Sequence, residues 1–268
     1  EPGAIDLALE TARNCGGDIV IANDPDAARC AAAIKDPTRG WRMLRGDELG
    51  ALFGEYIAAH ANGGILANSI VSSSILKKIA THHKMEFRET LTGFKWLAKI
   101  KGLTFGYEEA LGYCVDPTSV NDKDGISAAL VLAQIASDLK AEGKTILDFL
   151  DEIWLRHGFH GTEQISLRVN DLSQIATLLK SLRSDPPTEI AGREVISIDD
   201  LMQSKDGLPP TDGIRIWLVG EIRIIIRPSG TEAKVKCYIE VISHAGASAA
   251  QEVLDQLRGP LTAFLTGS

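Results

Sequence analysis

The sequence predicts an α/β protein with two mixed α/β domains, the first of them partial, followed by a C-terminal α+β domain with a helix-packed antiparallel sheet. Strand-like apolar runs alternate with helical periodicity in the first part of the chain, as in sheets covered by helices. Several short strand-like runs then follow one another, which favours an antiparallel sheet. We place the three domains at residues 1–62, 63–160 and 161–268.

Length and charge limit the classes of partner. The 268 residues exceed the roughly 100–200 expected of one domain. Apolar residues make up 44% of the chain, which is enough for a buried core. The net charge of −8 disfavours a general affinity for nucleic acid or for membranes, since both demand a basic surface. We expect neither as a partner, and an anionic substrate would need a local basic pocket.

Cysteine usage and hydropathy predict a cytoplasmic location. No apolar run approaches the roughly 18 residues that span a bilayer, and nothing at the start resembles a signal peptide. The chain begins without an initiator methionine, as a processed or truncated chain does. The cysteines show no C-x-x-C pair and no metal-finger spacing, which indicates reduced and mostly buried thiols. They are Cys15, Cys30, Cys114 and Cys237.

The first domain is predicted to open with a helix, Ile5 to Asn14, and a buried strand, Asp18 to Ala22. The next segment, which we call the aspartate loop (residues 23–29), carries Asp24 and Asp26 at alternating positions. Carboxylates so spaced can converge on one hard divalent cation, and Arg29 could then hold a phosphate nearby. A surface turn with capping aspartates explains the same residues, so both interpretations stay open.

Periodicity predicts the elements that follow. Asp47 suits the N-terminus of a helix by charge and capping. The paired histidines 82 and 83 close a helix, where we interpret them as a solvated terminus rather than a metal site. Helices are predicted at Glu48–His60, Ser74–Thr81, Phe94–Lys101, Gly125–Ala141, Leu172–Arg183 and Ala249–Leu265. Strands are predicted at Ile65–Val71, Leu103–Phe105, Gln164–Val169, Glu194–Ile198, Ile214–Val219, Ile222–Ile226 and Lys234–Val241.

A candidate phosphate site lies between the last two strands, in the arginine loop (residues 227–232). Arg227 offers a planar fork of donors, and Ser229 and Thr231 offer hydroxyl groups. Gly230 allows backbone N–H groups to approach an anion closely. A plain Pro-Ser-Gly turn between two strands accounts for the composition equally well.

Five short motifs occur in one order: Asp24-Pro25-Asp26-Ala27-Ala28-Arg29, Thr92-Gly93-Phe94-Lys95, Gly106-Tyr107-Glu108-Glu109-Ala110, Lys123-Asp124-Gly125, and Arg227 to Glu232. Together they resemble the signatures of the α-D-phosphohexomutases, the phosphoglucomutase and phosphomannomutase enzymes. The resemblance runs from the second of that family's four domains to the C-terminus. We call residues 106–112 the glutamate loop.

The resemblance implies an isomerase and phosphotransferase of carbohydrate metabolism that interconverts sugar 1-phosphates and sugar 6-phosphates. Such enzymes work through a bisphosphate intermediate and a phosphoserine. Glucose is the favoured sugar, with mannose and pentose left open. By resemblance, Mg²⁺ is held by Asp24 and Asp26, and the catalytic residues present are Arg29 and Lys123. The substrate-binding residues implied are Thr92, Gly93, Glu108, Arg227, Ser229, Gly230 and Thr231.

Two departures from the family pattern lead to further expectations. Ala28 occupies the third metal position, so we expect weakened metal binding. The family's Thr-x-Ser-His-Asn-Pro segment is absent from these residues, so we expect the catalytic serine to come from a missing N-terminal domain or a second chain. The chain alone is then inactive. A non-catalytic sugar-phosphate binder or regulatory relative is the alternative, whereas a nucleotide-binding protein is disfavoured because no glycine-rich strand-to-helix fingerprint occurs.

Overall fold

The structure, a computed structural model, describes residues 3–169, 172–203, 207–230 and 232–266. The chain divides into two compact units, Glu1–His157 and Gly158–Ser268. The further division of the first unit at residue 62 stays a prediction. Among the described residues, no helix has both the length and the apolar character required to cross a bilayer.

The first unit contains a small antiparallel sheet and a larger mixed sheet. Its elements are α1 (Asp6–Cys15), β1 (Ile19–Asn23), β2 (Cys30–Asp36), β3 (Gly40–Met43), α2 (Gly46–His60), β4 (Ile65–Ser69), α3 (Ile75–His82), β5 (Glu86–Thr90), α4 (Phe94–Leu97), β6 (Leu103–Glu108), β7 (Gly112–Cys114), α5 (Gly125–Ala141) and α6 (Ile146–His157). The small sheet has the order β1-β2-β3. The larger has the order β5-β4-β6-β7, with β4 parallel to β5 and β6 and with β7 antiparallel. The predicted α/β character of this part of the chain is confirmed.

Helix α2 packs closely on β6 because its contact face is glycine. Gly46, Gly50 and Gly54 recur every fourth residue and therefore lie on one side of the helix. A Cβ at position 50 would come within 2.5 Å of the Tyr107 ring, and one at position 46 within 1.8 Å of the Glu109 carbonyl oxygen. No larger residue fits at either position without displacing the helix from the sheet.

The second unit is a six-stranded antiparallel sheet covered by helices on one face. Its elements are β8 (Phe159–Arg168), α7 (Leu172–Ser184), β9 (Glu189–Ile190), β10 (Arg193–Asp200), a 3₁₀ turn (Leu201–Gln203), β11 (Ile214–Leu218), β12 (Ile222–Pro228), β13 (Lys234–Ser243) and α8 (Ala247–Thr266). The strand order is β8-β13-β12-β11-β10-β9. Alternate residues of β12, Ile222, Ile224 and Ile226, pack in one core with Leu257 and Leu261 of α8. The predicted helix-packed antiparallel sheet is confirmed.

Two local predictions were wrong. The helix expected from Phe94 to Lys101 ends at Leu97. Asp47 does not cap α2, because the Glu48 carboxylate accepts the N–H of the N-cap residue Arg45 at 2.8 Å. Asp47 is instead buried and accepts the Ser73 backbone N–H at 2.7 Å and the Tyr107 hydroxyl at 2.9 Å.

Candidate functional site

The aspartate loop connects β1 to β2 and is closed by its own arginine. The Asp24 carboxylate accepts the Arg29 backbone N–H at 2.8 Å and the Arg29 Nε–H at 2.5 Å. The side-chain hydrogen bond from Arg29 is the main reason that the pKa of Asp24 is lowered. Asp24 is therefore held as a carboxylate, oriented by the cation that follows it.

The aspartate loop offers a cation two carboxylates, Asp24 and Asp26, where the Asp-x-Asp-x-Asp-Arg pattern of the resembled family has three. Asp26 is exposed, and its Oδ1 lies 3.4 Å from the Ala28 backbone nitrogen. Two carboxylates are the hard oxygen donors that Mg²⁺ prefers, but residue 28 presents a methyl group. The donors fit Mg²⁺ in kind and supply only part of a coordination sphere.

Backbone contacts join the aspartate loop to the start of α5. The Gly125 N–H donates to the Ala27 carbonyl oxygen at 2.9 Å, and the Asn23 side-chain amide donates to the Arg29 carbonyl oxygen at 2.9 Å. A Cβ at position 125 would lie 2.4 Å from that same Arg29 oxygen, so a glycine is required. Asp124 is the N-cap of α5. The Lys123-Asp124-Gly125 motif thus borders the aspartate loop.

The glutamate loop closes the same end of the unit. Glu108 ends β6, and its Oε1 accepts the Gly93 backbone N–H at 2.5 Å. The Leu111 carbonyl oxygen accepts the N–H of Cys30, the residue after Arg29, at 3.1 Å. One end of the glutamate loop therefore contacts the residue that follows the aspartate loop, and Glu108 joins the glutamate loop to the Thr92-Gly93 turn.

Lys123 and Thr92 lie beside this set of contacts. A Cβ at Gly112 would come 3.2 Å from Lys123 Cδ and 3.2 Å from the Phe94 ring, so the Lys123 side chain crosses the last residue of the glutamate loop. Thr92 is half-buried next to Gly93. Contacts join Arg29 to Asp24, Gly93 to Glu108 and Lys123 to Gly112, whereas the site roles predicted for these residues and for Asp26 and Thr92 stay predictions.

Glu109, a half-buried residue of the glutamate loop, makes contacts that sequence reasoning missed. Glu109 Oε2 accepts hydrogen bonds from Ser69 Oγ at 3.2 Å and Ser72 Oγ at 3.1 Å. Burial raises the pKa of Glu109, with the neighbouring Glu108 charge adding to the effect. Glu109 directly follows Glu108, the last residue of β6, and the sequence carries no signal that separates the two carboxylates.

The arginine loop belongs to the second unit. Arg227 lies within β12, one residue beyond the predicted end of that strand, and pairs with Lys236 on β13. The Ser229 N–H donates to the Lys234 carbonyl oxygen at 2.8 Å and closes the turn. Gly230 is exposed, and Thr231 lies outside the described residues.

Basic side chains surround this turn. Opposite partners in an antiparallel pair project from the same face, which places Arg227 beside Lys236 and Lys234 beside Arg168. The Lys234 ammonium, 2.8 Å from the Glu232 carboxylate, lowers the pKa of Glu232, and Arg168 and Lys236 add to the effect. The positive potential suits a dianionic phosphate.

Comparison with known proteins gives consistent results. Residues 45–157 match the family described as phosphoglucomutase/phosphomannomutase, alpha/beta/alpha domain III. A probable phosphomannomutase of Haemophilus influenzae is 45% identical over 242 residues, which cover 90% of this chain and 49% of that protein. A Staphylococcus aureus phosphoglucomutase is 33% identical over 262 residues, covering 89% of this chain and 47% of that protein.

Solved structures show the same fold. The pp63/parafusin phosphoglucomutase of Paramecium, in its open form, superposes with a TM-score of 0.74 at 20% identity, covering 98% of this chain and 49% of that one. A phosphoglucomutase/phosphomannomutase family protein of Burkholderia thailandensis gives a TM-score of 0.68 at 17% identity, covering all of this chain and 51% of that one.

The fold and the linked loops define a phosphohexomutase-type α/β protein. Residues 45–157 match the phosphoglucomutase/phosphomannomutase family, and the chain over most of its length is similar to phosphomannomutases and phosphoglucomutases. It spans about half the length of the relatives it matches. The resemblance predicted from the five motifs is confirmed.

Proposed function

We propose that the chain supplies the metal, sugar and phosphate sites of an isomerase that interconverts sugar 1-phosphates and sugar 6-phosphates, with glucose as the favoured sugar. The observation that supports this most is that Ala27 of the aspartate loop contacts Gly125, while Cys30, the residue that follows the loop, contacts Leu111 of the glutamate loop. A metal site and a sugar site must adjoin if a phosphoryl group is to pass to a sugar hydroxyl.

The proposed reaction consists of two phosphoryl transfers. The phosphoryl group of a phosphoserine passes to the free hydroxyl of the sugar monophosphate, whose proton is released, and a sugar bisphosphate forms. The phosphate at the other end then returns to the serine oxygen, which leaves the isomeric monophosphate. The sequence of this chain lacks the family's serine motif, so residues outside it must supply that serine.

Each site residue then has a distinct role. Arg29 and Lys123 present positive charge to the transferring group, whose negative charge is spread over its oxygens. Glu108 accepts hydrogen bonds from neighbouring sugar hydroxyls, and the Thr92-Gly93 turn lines the sugar pocket. Arg227, Ser229, Gly230 and Thr231 hold the phosphate that is not reacting, which fixes the sugar for transfer.

Asp24 and Asp26 would hold Mg²⁺, which supplies electrostatic stabilisation to a phosphoryl group in transfer. An N-acetylphosphoglucosamine mutase of Aspergillus fumigatus was solved with magnesium and GlcNAc-6P. In this chain Asp24 also orients Arg29, which keeps the guanidinium beside the Asp24 carboxylate.

Calorimetry with glucose 1-phosphate, glucose 6-phosphate and ribose 1-phosphate, with and without Mg²⁺, tests the proposal. We expect at least one sugar phosphate to bind, and Glu108→Gln and Arg227→Ala each to weaken binding about tenfold, or about 1.4 kcal/mol. Arg258→Ala, at an exposed ion pair on α8, is the control and should leave affinity unchanged. No binding of any of the three compounds would refute the assignment.

A second candidate is a non-catalytic sugar-phosphate binder or regulatory relative, which Ala28 in the aspartate loop favours. The two functions differ in turnover rather than in affinity. A coupled assay on the longest natural protein that contains these residues distinguishes the isomerase from the binder. Conversion of glucose 1-phosphate to glucose 6-phosphate supports the isomerase, whereas sugar binding without conversion supports the binder.

A further inference from the structure

Two helices of the first unit bring together three side chains with the chemistry of metal ligands. Glu55 lies on α2, His82 is the last residue of α3, and His83 is the C-cap of α3. One ligand atom of each lies within 4.8 Å of the others. From the sequence we interpreted the histidine pair as a solvated helix terminus. The pair does end α3, but a carboxylate from another helix faces it.

The hydrogen-bonding capacity of the Glu55 carboxylate is only partly used. Glu55 is 4% exposed, and its Oε1 contacts His83 Nε2 at 3.1 Å and the Arg156 guanidinium. Among the described residues, its buried Oε2 has no hydrogen-bond partner. A buried carboxylate oxygen without a donor is costly, so such an atom calls for a proton donor or a cation.

We propose that Glu55, His82 and His83 form a binding site for a borderline divalent transition metal, represented by Zn²⁺. Two imidazole nitrogens and one carboxylate oxygen form a ligand set that such ions prefer over Mg²⁺, and water completes the coordination. Oε2 serves as the carboxylate ligand, because Arg156 already occupies Oε1.

Solvent access and the neighbouring positive charges determine how an ion enters the site and how tightly it binds. His82 is exposed and its ring lies 4.8 Å from the His83 ring, so an ion can enter from solvent by a rotation of one side chain. Arg156 is a positive charge beside the site, and Lys78, whose Nζ donates to the His157 carbonyl oxygen at 3.0 Å, is another on α3. These cations make the site weaker than a closed structural zinc site, and the ion exchangeable. A bound ion joins α2 to the end of α3.

Calorimetry with Zn²⁺ in excess Mg²⁺ tests the site, in a Cys15→Ser background that removes the exposed thiol. We expect one Zn²⁺ per chain, and His82→Gln to lower the affinity at least about tenfold. His82 is exposed, so this variant should fold, which circular dichroism checks. The control is His244→Gln, an exposed histidine of the second unit, with unchanged affinity expected.

Cobalt provides a second readout, since bound Co²⁺ should show visible d–d bands without a thiolate charge-transfer band, and His82→Gln should lose them. Glu55→Gln should also weaken Zn²⁺ binding while sparing the histidines. The proposal is overturned if no Zn²⁺ binds, if His82→Gln binds as tightly as its parent, or if cobalt shows thiolate ligation.

Discussion

The Glu108 carboxylate accepts the backbone N–H of Gly93 at 2.5 Å and so ties the end of β6 to the turn before α4. Gly93 has φ +107°, a conformation that L side chains rarely adopt.

We expect Gly93→Ala to strain this turn and to weaken glucose 6-phosphate binding about tenfold in calorimetry. Gly143→Ala is the matched control, because Gly143 has φ +74° and open space around it. It should cost about 1 kcal/mol of unfolding free energy without changing affinity, and an equal loss of affinity in both variants would contradict the prediction.

Residue 28 should control the affinity for Mg²⁺. Ala28→Asp adds a third carboxylate to the aspartate loop, and we expect about a tenfold rise in Mg²⁺ affinity, measured by calorimetry without sugar phosphate. The control is Gln164→Glu, which adds the same charge at an exposed position of β8 and should leave the Mg²⁺ affinity unchanged. An unchanged affinity in Ala28→Asp would show that the loop does not bind the cation.

A buried ionic group should dominate the stability of the second unit. The Glu240 carboxylate contacts His160 Nδ1 and the Arg223 guanidinium, each at 3.0 Å, and all three side chains are at most 4% exposed. Glu240→Ala removes the buried carboxylate that pairs with the Arg223 guanidinium, so we expect a loss of about 3–5 kcal/mol in urea denaturation. The exposed pair of Glu221 and His244 is the control, and Glu221→Ala should cost about 1 kcal/mol or less. Similar losses in both variants would be inconsistent with this account.

Thiol reactivity should separate the four cysteines. Burial raises the pKa of the Cys30 thiol to about 11 and those of Cys114 and Cys237 to about 12, so these thiols stay protonated near neutral pH. Cys15 is exposed. We expect Ellman's reagent to modify one thiol rapidly in the native protein and all four in denaturant. The rapid phase should vanish in Cys15→Ser, and its persistence would show that a buried thiol is accessible.

Glu109 should make stability depend on pH. Burial raises the pKa of Glu109 in the folded state. Ionisation of Glu109 therefore lowers the stability as the pH rises from the ordinary pKa of a glutamate through the raised pKa of the folded state. Below the ordinary value both states are protonated and the cost disappears. We expect Glu109→Gln to match the parent in unfolding free energy at about pH 4 and to exceed it at about pH 8. No advantage at the higher pH would mean that the Ser69 and Ser72 hydroxyls fully compensate the charge.

The elements with strong periodicity were predictable. Helix α5, Gly125–Ala141, was predicted with both ends correct, because Asp124 is a good N-cap and the apolar pattern is regular. Strand β2 was not predicted, since its Cys-Ala-Ala-Ala-Ile-Lys-Asp sequence is poor in β-branched residues. It forms a strand because β1 and β3 pair with both of its edges. Helix α6, Ile146–His157, was also missed, although its last residues carry Arg156 and His157.

The chemical groups could be read directly from the residues: the two carboxylates and arginine of the aspartate loop, the glutamate loop, and the arginine loop. Spacing within a loop is local, so motif and residue type suffice to predict it. The tertiary structure alone decided which groups meet. Contacts such as Leu111 with Cys30, or Glu55 with His83, join segments far apart in the chain. They depend on glycines that admit a neighbouring backbone and on helices that pack on sheets, and no local pattern encodes that geometry.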